Sequence, residues 1–211
     1  SASLVGSEMC IRDRYIWIDA AANFPDYANS KENIAKDMEK IKAAGFTDII
    51  VDVRPTTGDV LFNTNVVDQV KRMDVWGNSG YSYYERTETW DYLQAFIEEA
   101  RIQGLKVNAS INTFVGGYLC PYNLGHDGVL FRDESKKGWA SVANLADGLT
   151  NTMDLLDDET DYGAKFFNPA NDDVQNFVLQ LLADLAKYDL DGIILAVSYT
   201  HLRAHETSAH L

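Results

Sequence analysis

The chain has 211 residues, of which 32 are acidic and 18 basic, so its formal net charge is −14 and its sequence pI is about 4.5. This acidic balance argues against nucleic-acid or anionic-membrane partners, because both bind clusters of Lys and Arg. A content of 46% hydrophobic and 11% aromatic residues predicts a globular rather than a disordered chain, and no apolar run approaches the ~20 residues of a membrane span.

Strand-like and helix-like segments alternate along the chain, as expected of a parallel α/β fold. Strands are predicted at Tyr15–Ala20, at Thr47–Arg54, at Leu105–Asn112 and from Gly192 onward. Helices are predicted from near Ser30, from about Thr89 to Gln103 and from about Ala170 to Tyr188. Ser30 is a candidate N-cap of the first helix, and Gly45 is its stop signal.

The first three strands each present one apolar and one polar face, since side chains alternate along a strand. In the second strand, one face holds Ile49, Val51 and Val53, and the other holds Asp48, Ile50, Asp52 and Arg54. A sheet covered by helices on both faces would be apolar on both. The pattern therefore predicts the first half, about four β/α units, of a (β/α)8 TIM barrel with a polar interior.

Two long segments follow the second and third strands, Pro55–Glu88 and Thr113–Asn168. Both are longer than the usual connections of α/β proteins, and both leave the carboxyl ends of strands, where barrel enzymes build their active sites. They carry many aromatic residues, which either stack on sugar rings or form small cores within the loops.

Three segments carry a family resemblance, namely Arg14–Asp19, Phe46–Asp59 and Asp189–Leu195. Together they resemble the family-10-like glycosyl hydrolases, barrel proteins of bacterial envelopes, and the resemblance extends over 15–195. It implies a glycoside hydrolase with a poly- or oligosaccharide substrate. It also implies a location in the bacterial periplasm, at the cell surface or outside the cell.

Both ends of the chain are expected to be translated sequencing adapter. The leader, 1–14, contains Met9–Asp13, which resembles a translation of the transposase end used in tagmentation libraries. The tail, 196–211, contains Val197–Thr207, which resembles the reverse complement of the same element; a natural polar tail is the alternative. We therefore expect the partial glycosidase-like barrel to occupy 15–195.

No cofactor and no metal site are expected. Three of the four histidines lie in the predicted tail and one of the two cysteines lies in the predicted leader. Only Cys120 and His126 remain, which form neither a disulfide framework nor a zinc site. The acidic run Asp157–Gly163 faintly resembles a calcium loop but lacks the required spacing.

The catalytic residues are not assigned in this chain. By resemblance, the fourth strand ends in an active-site Asp at the position of Ala196. The adapter interpretation accounts for the difference, because alanine and aspartate codons share their first base. Glycoside hydrolysis usually needs two carboxylates. We expect the second carboxylate on a later strand, so the chain as given is predicted to be inactive.

Four residues are candidates for substrate binding. Asp19 and Asn112 end their strands and match family positions. Arg54 either binds sugar hydroxyls or forms an interior ion pair with Asp52. Asp59 either contacts substrate or belongs to a turn. A non-catalytic carbohydrate-binding barrel and a barrel enzyme with another chemistry remain the alternatives.

Overall fold

The computed structural model describes residues 13–77, 80–119, 126–155 and 163–197. The predicted leader, apart from residues 13–14, and the predicted tail, apart from 196–197, lie outside the described residues. The same holds for Cys120, for the side chain of His126 and for most of the acidic run at 157–163.

Within the described residues the chain forms eleven strands and five α-helices. The strands are β1 (Tyr15–Ile18), β2 (Asp48–Arg54), β3 (Arg72–Gly77), β4 (Gly80–Glu85), β5 (Lys106–Asn112), β6 (Val115–Leu119), β7 (His126–Asp127), β8 (Val142–Leu145), β9 (Gly148–Asn151), β10 (Gly163–Phe166) and β11 (Gly192–Ala196). The α-helices are α1 (Phe24–Tyr27), α2 (Lys31–Ala43), α3 (Tyr92–Ile102), α4 (Val129–Arg132) and α5 (Asp172–Leu185). Two 3-10 helices cover Glu134–Trp139 and Thr152–Leu155.

The central sheet has the strand order β1-β2-β5-β11, and every pairing in it is parallel. Its four strands are the four that the sequence predicts, and α2, α3 and α5 are the predicted helices between them. The Ser30 hydroxyl accepts a hydrogen bond from the Asn33 N–H and so caps α2. Gly45, with a φ of 85°, lies just beyond the C-terminus of that helix. The fold is therefore mixed α/β with a parallel sheet.

The helices cover the predicted apolar face of the sheet. Ile49, Val51, Val107 and Ala109 of the two central strands are fully buried. The helices bury β11 less completely, since Ile193 is 37% exposed and Leu195 is 47% exposed. At the opposite edge of the sheet, Trp17 of β1 is 48% exposed.

A β-bulge changes the side of the sheet from which Arg54 emerges. Asp52 pairs with Ser110, but Arg54 pairs with Ile111, so the register shifts by one residue between Asp52 and Arg54. Arg54 therefore shares a face with Ile111, and its guanidinium carbon lies 5.7 Å from the ring centroid of Phe177 on α5. The prediction that Arg54 and Asp52 share the polar face is wrong, because a bulge inserts one residue into the alternation.

The two long segments, which were predicted to be loops, contain regular secondary structure. They form a β3-β4 hairpin, a β8-β9 hairpin and a three-stranded sheet of order β10-β6-β7. In β3, buried Met73 and Val75 alternate with the more exposed Arg72 and Asp74, which is the period-two signal of a strand. The short lengths of these strands and their many polar residues make that signal weak.

Candidate functional site

The carboxyl ends of the central strands bring four positions to one edge of the sheet. Asp19 follows β1 and neighbours Asp52 of β2, because the preceding residues Ile18 and Val51 are paired. Asn112 of β5 is paired with Ala196 of β11. We refer to Asp19, Asp52, Asn112 and Ala196 as the strand-end cluster. Parallel strands place such residues together whatever their distance in sequence.

Asp52 is the most perturbed acid of this cluster. It is 8% exposed, and its Oδ1 accepts the Arg54 backbone N–H at 3.3 Å. Burial, reinforced by the nearby charge of Asp19, raises the pKa of Asp52 to about 7. The Asp19 Oδ1 instead accepts the Ala22 N–H at 2.7 Å. Two neighbouring carboxyl groups thus have different environments, and Asp52 retains a proton up to near neutral pH.

From the sequence, Asp52 is predicted only to lie on the polar face of the second strand and to be a candidate ion-pair partner of Arg54. The available signal is an acidic residue between two buried valines, Val51 and Val53, near the end of a strand. A buried, perturbed acid at the edge of a parallel sheet is a candidate functional group.

Tyr92 adds a buried hydroxyl near this acid. It is the first residue of α3, and its Oη has no hydrogen-bond partner among the described residues. Burial, followed by the negative charge of Asp52, raises the pKa of Tyr92 above its ordinary value. The phenol therefore stays protonated and has an unused hydrogen-bonding capacity.

Arg54 lies behind the strand-end cluster and is fully buried. Its guanidinium donates hydrogen bonds to the carbonyl oxygens of Asn112, Thr113 and Val115. Burial lowers the pKa of Arg54 to about 10, against the opposing effect of the charges of Asp59 and Asp52. No ion pair joins it to any carboxylate in the described part of the chain, so the predicted ion pair with Asp52 is not formed. Arg54 instead fixes the backbone that leaves β5.

Asp59 lies apart from the cluster, where it joins the two long segments. Both of its carboxylate oxygens accept hydrogen bonds from the Arg132 guanidinium, one of them at 2.9 Å. Arg132 also lies 3.4 Å from an oxygen of Asp68. Burial raises the pKa of Asp59, and the hydrogen bonds from Arg132 oppose that shift. Asp59 is therefore a buried acid held by a bidentate pair, which is geometrically specific.

Asp59 lines a cleft of about 500 Å³ that carries charges of both signs. We call it the charged cleft; its walls include Asp59, Asp68, Lys71, Arg72, Tyr83, Glu85, Arg86, Asp127 and Arg132. Arg72 and Asp127, whose Nε and Oδ2 lie 3.5 Å apart, also line a smaller cavity of about 40 Å³ that contacts Ala21. Ala21 belongs to the turn that Asp19 caps, so the charged cleft lies on the strand-end side of the sheet.

The predicted candidates thus occupy three environments. Asp19 and Asn112 belong to the strand-end cluster together with Ala196, which is the last residue of β11. Arg54 is buried behind it, and Asp59 lines the charged cleft.

No group of three or more His, Cys, Asp or Glu side chains among the described residues is arranged to hold a metal ion. None of the helices described is both long and apolar enough to cross a membrane.

The chain is similar in sequence to one large protein, and no family model matches it. It is 28% identical over 189 residues to an S-layer-related protein of Niallia circulans. The alignment covers 85% of this chain and 11% of that protein, so the chain spans about a tenth of the length of that relative.

Solved glycoside hydrolases share the fold. The α-L-fucosidase isoenzyme 2 of Paenibacillus thiaminolyticus has a TM-score of 0.54 at 20% identity, over 92% of this chain and 26% of that chain. The maltogenic α-amylase AmyB of Thermotoga neapolitana has a TM-score of 0.50 at 14% identity, over 94% of this chain and 43% of that chain. These likenesses confirm the predicted glycosidase-like fold.

Proposed function

We propose that this chain is part of a carbohydrate-active glycoside hydrolase of the family-10-like type, acting on poly- or oligosaccharides. The observation that carries the proposal is the Asp19 and Asp52 pair at the carboxyl edge of a glycosidase-like parallel sheet. Barrel glycosidases build their sites from carboxyl groups at this edge of the sheet. Asp52, which keeps its proton up to near neutral pH, can donate a hydrogen bond to a bound sugar.

We further propose that the central sheet is the first half of a (β/α)8 barrel, occupying 15–195. Trp17 on one outer strand, and Ile193 and Leu195 on the other, leave large apolar surfaces in contact with solvent. Further β/α units would bury these surfaces and pair the open strand edges, as barrel closure does. The fucosidase with the same fold is much longer than this chain, which supports the same interpretation.

The proposed chemistry needs a carboxylate at position 196 and a second one on a later strand. Asn112 is paired with Ala196, so an Asp at 196 would stand beside the Asn112 side chain. Because Ala196 has no carboxyl group, the chain as given is expected to bind saccharide without hydrolysing it. In this scheme Asn112 contacts sugar hydroxyls, Asp59 contacts substrate in the charged cleft, and Arg54 positions Asn112 through its carbonyl oxygen.

The similarity of the chain to an S-layer-related protein supports a location at the bacterial cell surface, in the periplasm or outside the cell.

The second candidate function is a non-catalytic carbohydrate-binding barrel. Such a barrel would keep the two long segments and the strand-end cluster but lack the carboxylate at 196 and its partner on a later strand.

Three measurements test these proposals. Calorimetric titration of the chain with neutral oligosaccharides should detect binding that Asn112→Ala weakens, and a chain that binds none would contradict the saccharide proposal. Sequencing the source gene across codon 196 should show Asp, and any other residue would contradict the family assignment.

The complete gene product should release reducing ends from a polysaccharide. Binding without release would favour the non-catalytic alternative, while release by the present chain after repurification would contradict its predicted inactivity.

A further inference from the structure

A second cleft, distinct from the charged cleft, lies against the outer side of α5. It has a volume of about 640 Å³, and we call it the α5 cleft. One wall is α5 itself, which contributes Asp173, Asn176 and Gln180. Residues three and four apart lie on the same face of a helix, so these polar side chains form one row along the cleft. The segment 65–68, which lies between β2 and β3, also lines the cleft.

The floor of the α5 cleft includes an aromatic ring that is held in place. Trp139 packs against Phe167 and Phe177, with ring centroids 5.8 Å and 5.6 Å away. Its indole is half-buried and lines the cleft. The Lys136 Nζ lies 4.3 Å from its ring centroid, so a sugar that stacks on this face of the ring has to displace the Lys136 ammonium. A fixed, partly exposed ring offers a flat apolar surface at little entropic cost.

The charges that line the α5 cleft are largely matched within the protein. Arg132 is held by Asp59 and lies close to Asp68, while Asp133 accepts hydrogen bonds from Ser135. No group of unpaired cations is therefore directed into the described part of this cleft, which disfavours a phosphate or carboxylate ligand. The amides of Asn176 and Gln180 can each donate and accept hydrogen bonds, which suits hydroxyl groups.

The α5 cleft adjoins the charged cleft. Asp68 and Arg132 line both, so a single ion pair separates them. An extended ligand that occupied one cleft would reach the other by passing over this pair.

We infer that the α5 cleft is a distal binding subsite for a neutral oligosaccharide chain, continuous with the charged cleft across Arg132. The ligand stacks a sugar ring near Trp139 and is hydrogen-bonded by the amides of Asn176 and Gln180. This inference takes the chemical class of its ligand from the proposed function. It adds that long oligosaccharides bind more tightly than short ones.

The test measures how affinity depends on oligosaccharide length, with and without the amides of Asn176 and Gln180. The chain is titrated calorimetrically with malto-, cello-, xylo- and manno-oligosaccharides, from disaccharide to octasaccharide. Affinity for the preferred series should rise with length. The double variant Asn176→Ala, Gln180→Ala should reduce affinity for the longest member by about tenfold or more, since two hydrogen bonds are lost, and leave the shortest member unaffected.

Two controls separate this subsite from the strand-end cluster. Gln175→Ala removes an exposed amide from the same helix outside the cleft and should leave all affinities unchanged. Asn112→Ala should weaken binding of every length by the same factor. If the α5 double variant binds long and short members like the parent chain, the distal subsite is disproved while the proposed function stands. If no oligosaccharide binds the parent chain, both proposals fail.

Discussion

Replacing Asp52 with Asn tests the electrostatics of the strand-end cluster directly. The substitution keeps the size of the side chain and an oxygen that accepts the Arg54 backbone N–H. It replaces the titratable carboxyl group with a neutral amide. In the folded chain the pKa of Asp52 is raised from its ordinary value of 3.8 to about 7, chiefly by burial.

The expected magnitude follows from that difference. A rise in pKa from 3.8 to about 7 corresponds to about 4 kcal/mol between the two protonation states. Between pH 3.8 and about pH 7 the folded chain holds a proton on Asp52 that the unfolded chain has released. The free energy of unfolding therefore falls as the pH rises through this window. Below that window both states of the chain are protonated at Asp52, and above it both are ionised. Asp52→Asn should therefore raise the free energy of unfolding by up to about 4 kcal/mol near pH 8, and by almost nothing near pH 3.

The measurement is urea unfolding, followed by far-ultraviolet circular dichroism across this pH range. Glu39→Gln, which removes an exposed acid from α2, is the matched control and should change stability little at any pH. A difference between Asp52→Asn and the parent chain that is constant with pH, or that grows toward acid pH, would refute the reasoning.

Four further substitutions test other contacts of the structure. Asp19→Asn should lower the apparent pKa of Asp52 by removing a neighbouring negative charge, as a carboxyl-carbon NMR titration would show; an unchanged midpoint would mean that burial alone sets it. Arg54→Met should cost about 3 kcal/mol or more in urea unfolding, because it leaves buried carbonyl oxygens unpaired, and a loss below about 1 kcal/mol would contradict that role. Arg132→Met should destabilise the chain by about 1–3 kcal/mol by unpairing a buried carboxylate, and adding Asp59→Asn should recover part of the loss; no recovery would argue against the pair. The open edge of β11, where Leu195 is 47% exposed, is expected to promote self-association of the chain. Leu195→Lys should reduce that association in sedimentation velocity with little change in stability, and unchanged association would exclude this edge as the contact.

The local sequence determined much of the central architecture. The four parallel strands and the three helices between them follow from runs of apolar residues with strand or helix periodicity. The boundaries of α2 follow from a capping hydroxyl at Ser30 and a residue free to adopt positive φ at Gly45. These features depend on residues only a few positions apart, so a single sequence is enough to predict them. The glycosidase likeness of the fold was predicted instead from the family resemblance of Arg14–Asp19, Phe46–Asp59 and Asp189–Leu195.

The arrangement of the candidate site was decided only by the tertiary structure. The bulge that turns Arg54 away from Asp52 depends on pairing between β2 and β5, and a strict alternation of side chains cannot reveal it. Asp59 meets Arg132 across 73 residues of sequence. Asp52 becomes a neutral-pH acid because other elements bury it beside Asp19, and burial of a charge is a property of the whole packed fold. The residues that end strands could be read from the sequence, whereas their protonation and partners required the packing around them.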